Sequence, residues 1–270
     1  MPDLPSRAVE IRRIAVSLID GAGSGHPGSC LSAADIIAAL YFEELRPGLD
    51  KFVLSKGHAC PALYAALHLR GFFDRTALGS FRRLGGMLQG SPATTVPGVD
   101  ATCGSLGQGF SIALGLALGL RESESRVFVM LGDGELQEGQ VWEAAMAAGH
   151  YKLGNLCAIV DYNKMQSDDL NERTMRLEPL DAKWRAFNWH VRAIDGHNFD
   201  EIAAAFDAAR AAADKPTAII ANTIKGKGVS YMEGVPSWHG SVKLKPEEIQ
   251  QALADLGVPQ ERQPEYAFHG

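Results

Sequence analysis

Two short apolar runs, at residues 127–131 and 156–161, end in oxygen-bearing residues and are separated by one helical stretch. The first breaks into Gly132-Asp133-Gly134, and the second closes in Asp161-Tyr162-Asn163. Runs that are β-branched-rich and apolar almost throughout are the pattern of parallel strands covered on both faces, with residues 136–150 as the crossover helix. In an open parallel sheet, ligands gather at the carboxyl ends of the strands, which is where Asp133 and Asn163 fall. A carboxylate and an amide oxygen there suit a hard octahedral ion such as Mg²⁺ that also takes oxygens from a diphosphate. Gly132 and Gly134 leave room for phosphate against backbone. Gly-Asp-Gly alone is an ordinary turn; its place after a buried strand, one βα unit before Asp-x-Asn, is what makes it informative.

The rest of the chain alternates in the same way. Apolar residues at helical spacing predict helices over 7–20, 33–44, 61–70, 199–214 and 245–256, the last of them exposed. Residues 109–121 are small and apolar on nearly every side, which predicts a helix buried at the centre. Further strands are expected at 191–194 and 217–222, and loops at 92–99 and 224–241. The predicted fold class is α/β, a doubly wound, mainly parallel sheet with helices on both faces. A single domain over 1–270 is expected, with 241–270 as a C-terminal helix and tail.

With 270 residues, 46% hydrophobic, the chain can bury a large core. A net charge of −6 without a dense Lys/Arg block argues against nucleic acid and anionic membranes as partners. The start of the chain lacks a basic segment followed by an apolar core, so the expected location is cytoplasmic. Cys30, Cys60, Cys103 and Cys157 are widely spaced and form no C-x-x-C pair, so they read as buried small hydrophobes.

Several motif matches fail on context. Gly23-x-Gly25-x-x-Gly28 follows a helical stretch and contains Pro27, which removes it as a dinucleotide fingerprint. Asp161-x-Asn163 with Asp169 and Glu172 mimics a calcium loop, but Met165 stands at a ligand position and Gln166 replaces the turn glycine. No G-x-x-x-x-G-K-[ST] is present. Three histidines beside glycine remain: His26 in Ser24-Gly25-His26-Pro27-Gly28, His58 in Lys56-Gly57-His58 and His239 in Trp238-His239-Gly240. Imidazoles in such loops meet a ligand with little steric cover and serve proton transfer near neutral pH. His68, His150, His190, His197 and His269 read as structural.

The run from Gly132 to Gly139, the Asp161-Tyr162-Asn163 strand end, Gly104-Ser105-Leu106-Gly107-Gln108-Gly109 and the three histidine loops together resemble the transketolase family. Further marks are Pro97-Gly98-Val99-Asp100, Trp184-Arg185-Ala186-Phe187 and Thr223-Ile224-Lys225-Gly226-Lys227-Gly228, so the likeness covers nearly the whole chain. The resemblance implies thiamine diphosphate as cofactor, with Mg²⁺, or Ca²⁺ or Mn²⁺ in its place, held by Asp133, Asn163 and the Met165 backbone carbonyl. It places His58, Gly134, Asn163 and His239 against the cofactor, and Gly104, Ser105 and Leu106 around the thiamine. His26, His58 and His239 would face the reacting carbons as catalytic residues. The implied reaction is transfer of a two-carbon ketol unit from a ketose to an aldose, sugars or sugar phosphates, with the cofactor as electron sink.

Two departures from the family qualify this expectation. Transketolases are more than twice as long, and the pyrimidine-binding domain, with its glutamate for the aminopyrimidine and its arginines for the sugar phosphate, is missing here. Glu135, Glu138 and Glu143 belong to the wrong motif to replace that glutamate; Glu138 and Glu143 suit a subunit interface. The resemblance therefore implies a split transketolase, in which this chain is the N-terminal subunit and a separate C-terminal subunit supplies the pyrimidine domain in an α₂β₂ assembly. Secondly, Gly90-Ser91-Pro92 stands where the family often has Gly-His-Pro, so pentose phosphates need not be the substrates. Rival readings are a deoxyxylulose-phosphate synthase relative, the α subunit of a 2-oxoacid dehydrogenase, or a cofactor-binding protein without catalysis.

Overall fold

The computed structural model describes residues 3–167 and 169–268. Five strands, β1 (Lys51–Leu54), β2 (Val127–Gly132), β3 (Leu156–Tyr162), β4 (His190–Asp195) and β5 (Thr217–Asn222), form one parallel sheet in the order β1-β2-β3-β5-β4. Every residue of β2 and β3 is buried, as their unbroken apolar composition requires. β4, at the edge, buries little beyond Val191. Gly132 pairs with Asp161, and Tyr162 with Asn222. The strands β2, β3 and β5 therefore end side by side, and the loops leaving their carboxyl ends meet at one rim.

Successive side chains along a strand point to opposite faces, and the two cores divide accordingly. Phe128, Met130, Cys157, Ile159 and Ile219 enter one core with α1 (Leu4–Ala22), α2 (Pro27–Ala39), α3 (Cys60–Leu69) and α8 (Phe199–Ala211). Val127, Val129, Leu131, Ala158 and Val160 enter the other, with α4 (Gln108–Leu120), α5 (Gly139–His150) and α7 (Leu180–Ala186). That second core is aromatic: Trp184 meets Trp189 edge-on at 4.8 Å between ring centroids and Phe110 at 5.9 Å. A short α6 (Asn171–Thr174) and a last helix α9 (Pro246–Asp255) complete the helices. Among the described residues no helix is long and apolar enough to cross a membrane.

Local chemistry sets the helix ends. Asp3 caps α1, its carboxylate accepting from the Ser6 N–H at 3.0 Å, and Gly23 closes it in the left-handed region at φ 66°. Proline at the first turn starts α2 earlier than the spacing predicts, directly after His26, and the predicted end at 44 is one π-helical turn, Leu40–Glu44. The predicted crossover helix is broken: a 3₁₀ turn, Gly134–Gln137, and extended Glu138 precede α5. A 3₁₀ stretch, Gln260–Tyr266, continues the chain beyond α9 where the sequence pattern predicts only a tail. The predicted exposed character of the last helix holds except for buried Ala252 and Leu253.

One expectation is overturned. The helix predicted to be buried at the centre, α4, lies in the outer layer and buries only Gly109, Phe110, Ala113 and Ala117, while Ile112 is 38% exposed. The buried residues recur every three to four positions and form a single stripe on the sheet. Leu114, Leu116, Leu118 and Leu120 are partly buried against the same core, which leaves Ile112 as the exposed large apolar side chain of the helix.

Candidate functional site

At the end of β2 the Asp133 carboxylate accepts from the Gly134 N–H at 2.8 Å and from the Lys164 N–H across the gap to β3. Asn163, one residue past β3, turns Oδ1 towards the same space and also accepts from the Met165 N–H at 3.2 Å. A third element arrives from β5. Lys225, buried to 1% exposure, donates to Asn163 Oδ1 at 3.3 Å, to Met165 O at 3.4 Å and to His239 Nδ1. A cation thus stands on an amide oxygen and a carbonyl oxygen, with the Asp133 carboxylate close enough to interact. Burial drives the Asp133 carboxyl up against the pull of Lys225, and drives the Lys225 ammonium down against the pull of Asp133.

Beneath these groups lies a fully buried ion pair. Asp161 accepts from Lys56 and Thr223, and from Ser32 Oγ at 2.7 Å, while Lys56 also donates to Ser29 O at 3.1 Å. Burial would raise the Asp161 carboxyl, but Lys56 and the two hydroxyls outweigh it and hold it below the usual carboxylate range. Asp161 is therefore a support: it fixes Lys56 from the β1 end and Thr223 from the β5 end against β3. Glu135 supports the other wall, accepting from Ser55, from the Gly107 N–H at 2.8 Å and from the Gly132 N–H at 3.0 Å.

The pocket between them has a volume of 260 Å³ and is lined by Lys56, His58, Asp133, Gly134, Asn163 and Lys225 among others. At Gly134 a Cβ would come within 2.9 Å of Gln166 Cβ, so backbone forms that wall. The histidines cluster at the rim. His26 and His58 stand 5.1 Å apart between ring centroids, and His58 and His239 stand 5.8 Å apart. Burial, then nearby cations, pushes His26 down to about 4 and His239 to about 3, and His58 is also driven well below its ordinary value. All three are neutral imidazoles near pH 7, and buried His26 Nδ1 has no partner among the described residues.

The structure brings together Asp133, Asn163, Met165, His26, His58, His239, Gly134 and Leu106. Gly104 and Ser105 stand apart as exposed loop residues outside the cavity lining. Ser91 Oγ lies 3.7 Å from the place a Cβ would take on Gly104. Lys56, Lys225, Ser29 and Asp161 carry no role in the reading of the sequence, although Lys56 and Lys225 sit in motifs singled out there. His197, read as structural, donates to Asp35 at 2.6 Å from Nδ1 and accepts the Ile224 N–H at 2.8 Å on Nε2, so it braces the Lys225 segment. His68, His150 and His190 lie in other contacts, and His269 falls outside the described residues. All four cysteines are buried and free.

A parallel α/β sheet with an oxygen-rich pocket at its carboxyl rim defines a cofactor-binding domain of the diphosphate class. Residues 5–267 match the family described as transketolase, thiamine diphosphate binding domain. The chain belongs to the transketolase family. It is 46% identical over 265 residues to a 6-deoxy-6-sulfo-D-fructose transketolase subunit of Clostridium sp. (strain MSTE9), covering 94% of this chain and 96% of that protein. An apulose-4-phosphate transketolase subunit of Phocaeicola vulgatus is 37% identical over 255 residues, 91% of this chain and 90% of that one. Transketolase from Leishmania mexicana superposes with a TM-score of 0.89 at 30% identity, over 100% of this chain and 44% of that one. The chain thus spans less than half of the solved transketolase and nearly all of the proteins named as subunits.

Proposed function

We propose that this chain is the N-terminal, thiamine diphosphate- and Mg²⁺-binding subunit of a two-subunit transketolase, which moves a two-carbon ketol unit from a ketose to an aldose. The observation that carries the reading is a buried ammonium seated on Asn163 Oδ1 and Met165 O, within electrostatic reach of Asp133 and beside a cluster of three imidazoles. A carboxylate, an amide and a carbonyl are hard donors that leave coordination positions for diphosphate oxygens and water. In this reading Asp133, Asn163 and Met165 hold the metal, Gly134, His58 and Lys225 meet the diphosphate, and Gly104, Ser105 and Leu106 flank the thiamine.

The bound cofactor supplies the electron sink for carbon–carbon bond cleavage. The protein's part is orientation and proton handling. Neutral His26 and His58 each offer one N–H and one lone pair to substrate hydroxyls, while His239, whose Nδ1 accepts from Lys225, offers the N–H on Nε2.

A C-terminal subunit carrying the pyrimidine-binding domain, in an α₂β₂ assembly, completes the reading. Support comes from the subunit names of two relatives, and exposed Glu138 and Glu143 are free to serve the interface. Residues 1–270 act as one cofactor-binding domain, with 241–270 as its closing helix and tail. The sugars named for those relatives each carry an anionic group and are not the common pentose phosphates. We infer a similarly specialised ketose donor, with Ser91 at the substrate. Four free, buried thiols suit the reducing cytoplasm. The test is to assay ketol transfer with Mg²⁺ and thiamine diphosphate, using the purified chain alone and with its partner subunit. Activity from the pair alone is expected; full activity from the isolated chain overturns the split assembly.

A further inference from the structure

The Lys225 ammonium and the proposed metal share acceptors. Lys225 donates to Asn163 Oδ1 at 3.3 Å and Met165 O at 3.4 Å, and these are two of the three oxygens assigned above to the divalent cation. The root of Lys225 is fixed on every side. The Ile224 N–H donates to His197 Nε2 at 2.8 Å, the Gly226 N–H to Gly28 O at 3.2 Å, and the Gly234 N–H to Lys225 O at 2.9 Å. The side chain then crosses the bare backbone of Gly28, where a Cβ would stand 2.9 Å from Lys225 Cγ and 3.2 Å from Cε. Only the end of the side chain is left to move.

An ammonium and a divalent ion cannot sit together on two neutral oxygens, because their repulsion in a buried site is barely screened. Asp133 supplies one negative charge, enough for Lys225 and too little for both cations. A diphosphate changes the balance, since its oxygens can accept the ammonium while also binding the metal.

We propose that Lys225 is the exchangeable resident cation of the metal site: it holds Asn163 Oδ1 and Met165 O in place and yields them to a divalent ion when a diphosphate arrives to receive it. The proposal rests on the metal reading of Asp133, Asn163 and Met165. Metal and diphosphate then bind with strong positive coupling, while metal alone binds weakly. Lys225 is a positioning residue in this respect, acting through oxygens that other residues carry.

The experiment measures Mn²⁺ binding by electron paramagnetic resonance, and thiamine diphosphate binding by calorimetry, on the full chain with its partner subunit. In Lys225→Met, Mn²⁺ alone is expected to bind at least about tenfold tighter than in the unaltered protein, and thiamine diphosphate with Mn²⁺ at least about tenfold weaker. Structural damage would weaken both; opposite changes are the signature of exchange. Mn²⁺ affinity that is unchanged or lower in Lys225→Met overturns the proposal, and Lys225→Gln provides the same comparison if the methionine variant does not fold. Failure of the unaltered protein to bind thiamine diphosphate with Mn²⁺ would instead overturn the underlying metal reading.

Discussion

Lys56→Met tests the support beneath the pocket. Lys56 and Asp161 are 1% and 0% exposed, and the lysine is the one cation among the groups that hold the carboxylate, beside Ser32 at 2.7 Å, Thr223 and, at 3.5 Å, the Asn163 amide. Removing the ammonium leaves a buried carboxylate with two hydroxyls, a distant amide and no counter-charge, and breaking such a pair costs roughly 3–5 kcal/mol. With a urea m value near ~3 kcal/mol/M for a chain of this size, the midpoint falls by about 1–1.7 M. The assay is urea unfolding followed by tryptophan fluorescence, reported by the Trp184 and Trp189 cluster. Asp161→Asn should cost a similar amount, and the double variant should cost less than the sum by about 2 kcal/mol, because each single change strands the partner that the other removes. The pH dependence has a defined sign. Asp161 titrates below its ordinary 3.8, so the pair's stabilisation is present above about pH 4 and fades as pH falls through the lowered folded value. The gap between Lys56→Met and the unaltered protein must therefore narrow on acidification. A midpoint shift below about 0.3 M at pH 7, or a gap that widens in acid, would show that the Lys56 ammonium does not stabilise the buried Asp161 carboxylate.

Three further outcomes are expected. Asp133→Ala should abolish metal-dependent thiamine diphosphate binding by calorimetry while circular dichroism stays native; undiminished affinity would remove Asp133 from the metal site. Because His26 and His239 are pushed down to about 4 and 3, the reconstituted enzyme should show no histidine-type limb in kcat between pH 5.5 and 7.5 from these rings. A limb near 6.5 that disappears in His239→Asn would contradict their neutrality. Ser91→His should shift kcat/KM among donor ketoses towards common pentose phosphates, and an unchanged ranking would show that Ser91 does not select the donor.

Much of the sheet is legible in the sequence because buried parallel strands are written as apolar runs, and β2, β3, β4 and β5 carry such runs in full or in part. β1 is not legible. It has four residues, begins with Lys51 and becomes a strand by pairing with β2, with Leu54 opposite Met130. The composition of α4 misleads for a related reason: a helix apolar on every side reads as buried all round, whereas one face meets the sheet and the leucines flanking it are only partly covered.

The site divides along the same line. Gly132-Asp133-Gly134, Asp161-Tyr162-Asn163 and the three histidine loops are local signals, and the sequence by itself determined the donor types, the cofactor class they suit and the family. Lys56 and Lys225 lie within such motifs but take no role from them, since lysine in a sequence reads as a solvated charge. Their burial is decided by partners far along the chain: Asp161 for Lys56, and Asn163 with Met165 for Lys225. Only the tertiary structure, by ending β2, β3 and β5 at one rim, brings these charges into a space where water cannot screen them. There an ammonium needs a counter-charge or an oxygen acceptor, and the oxygens that satisfy Lys225 are those a metal would claim.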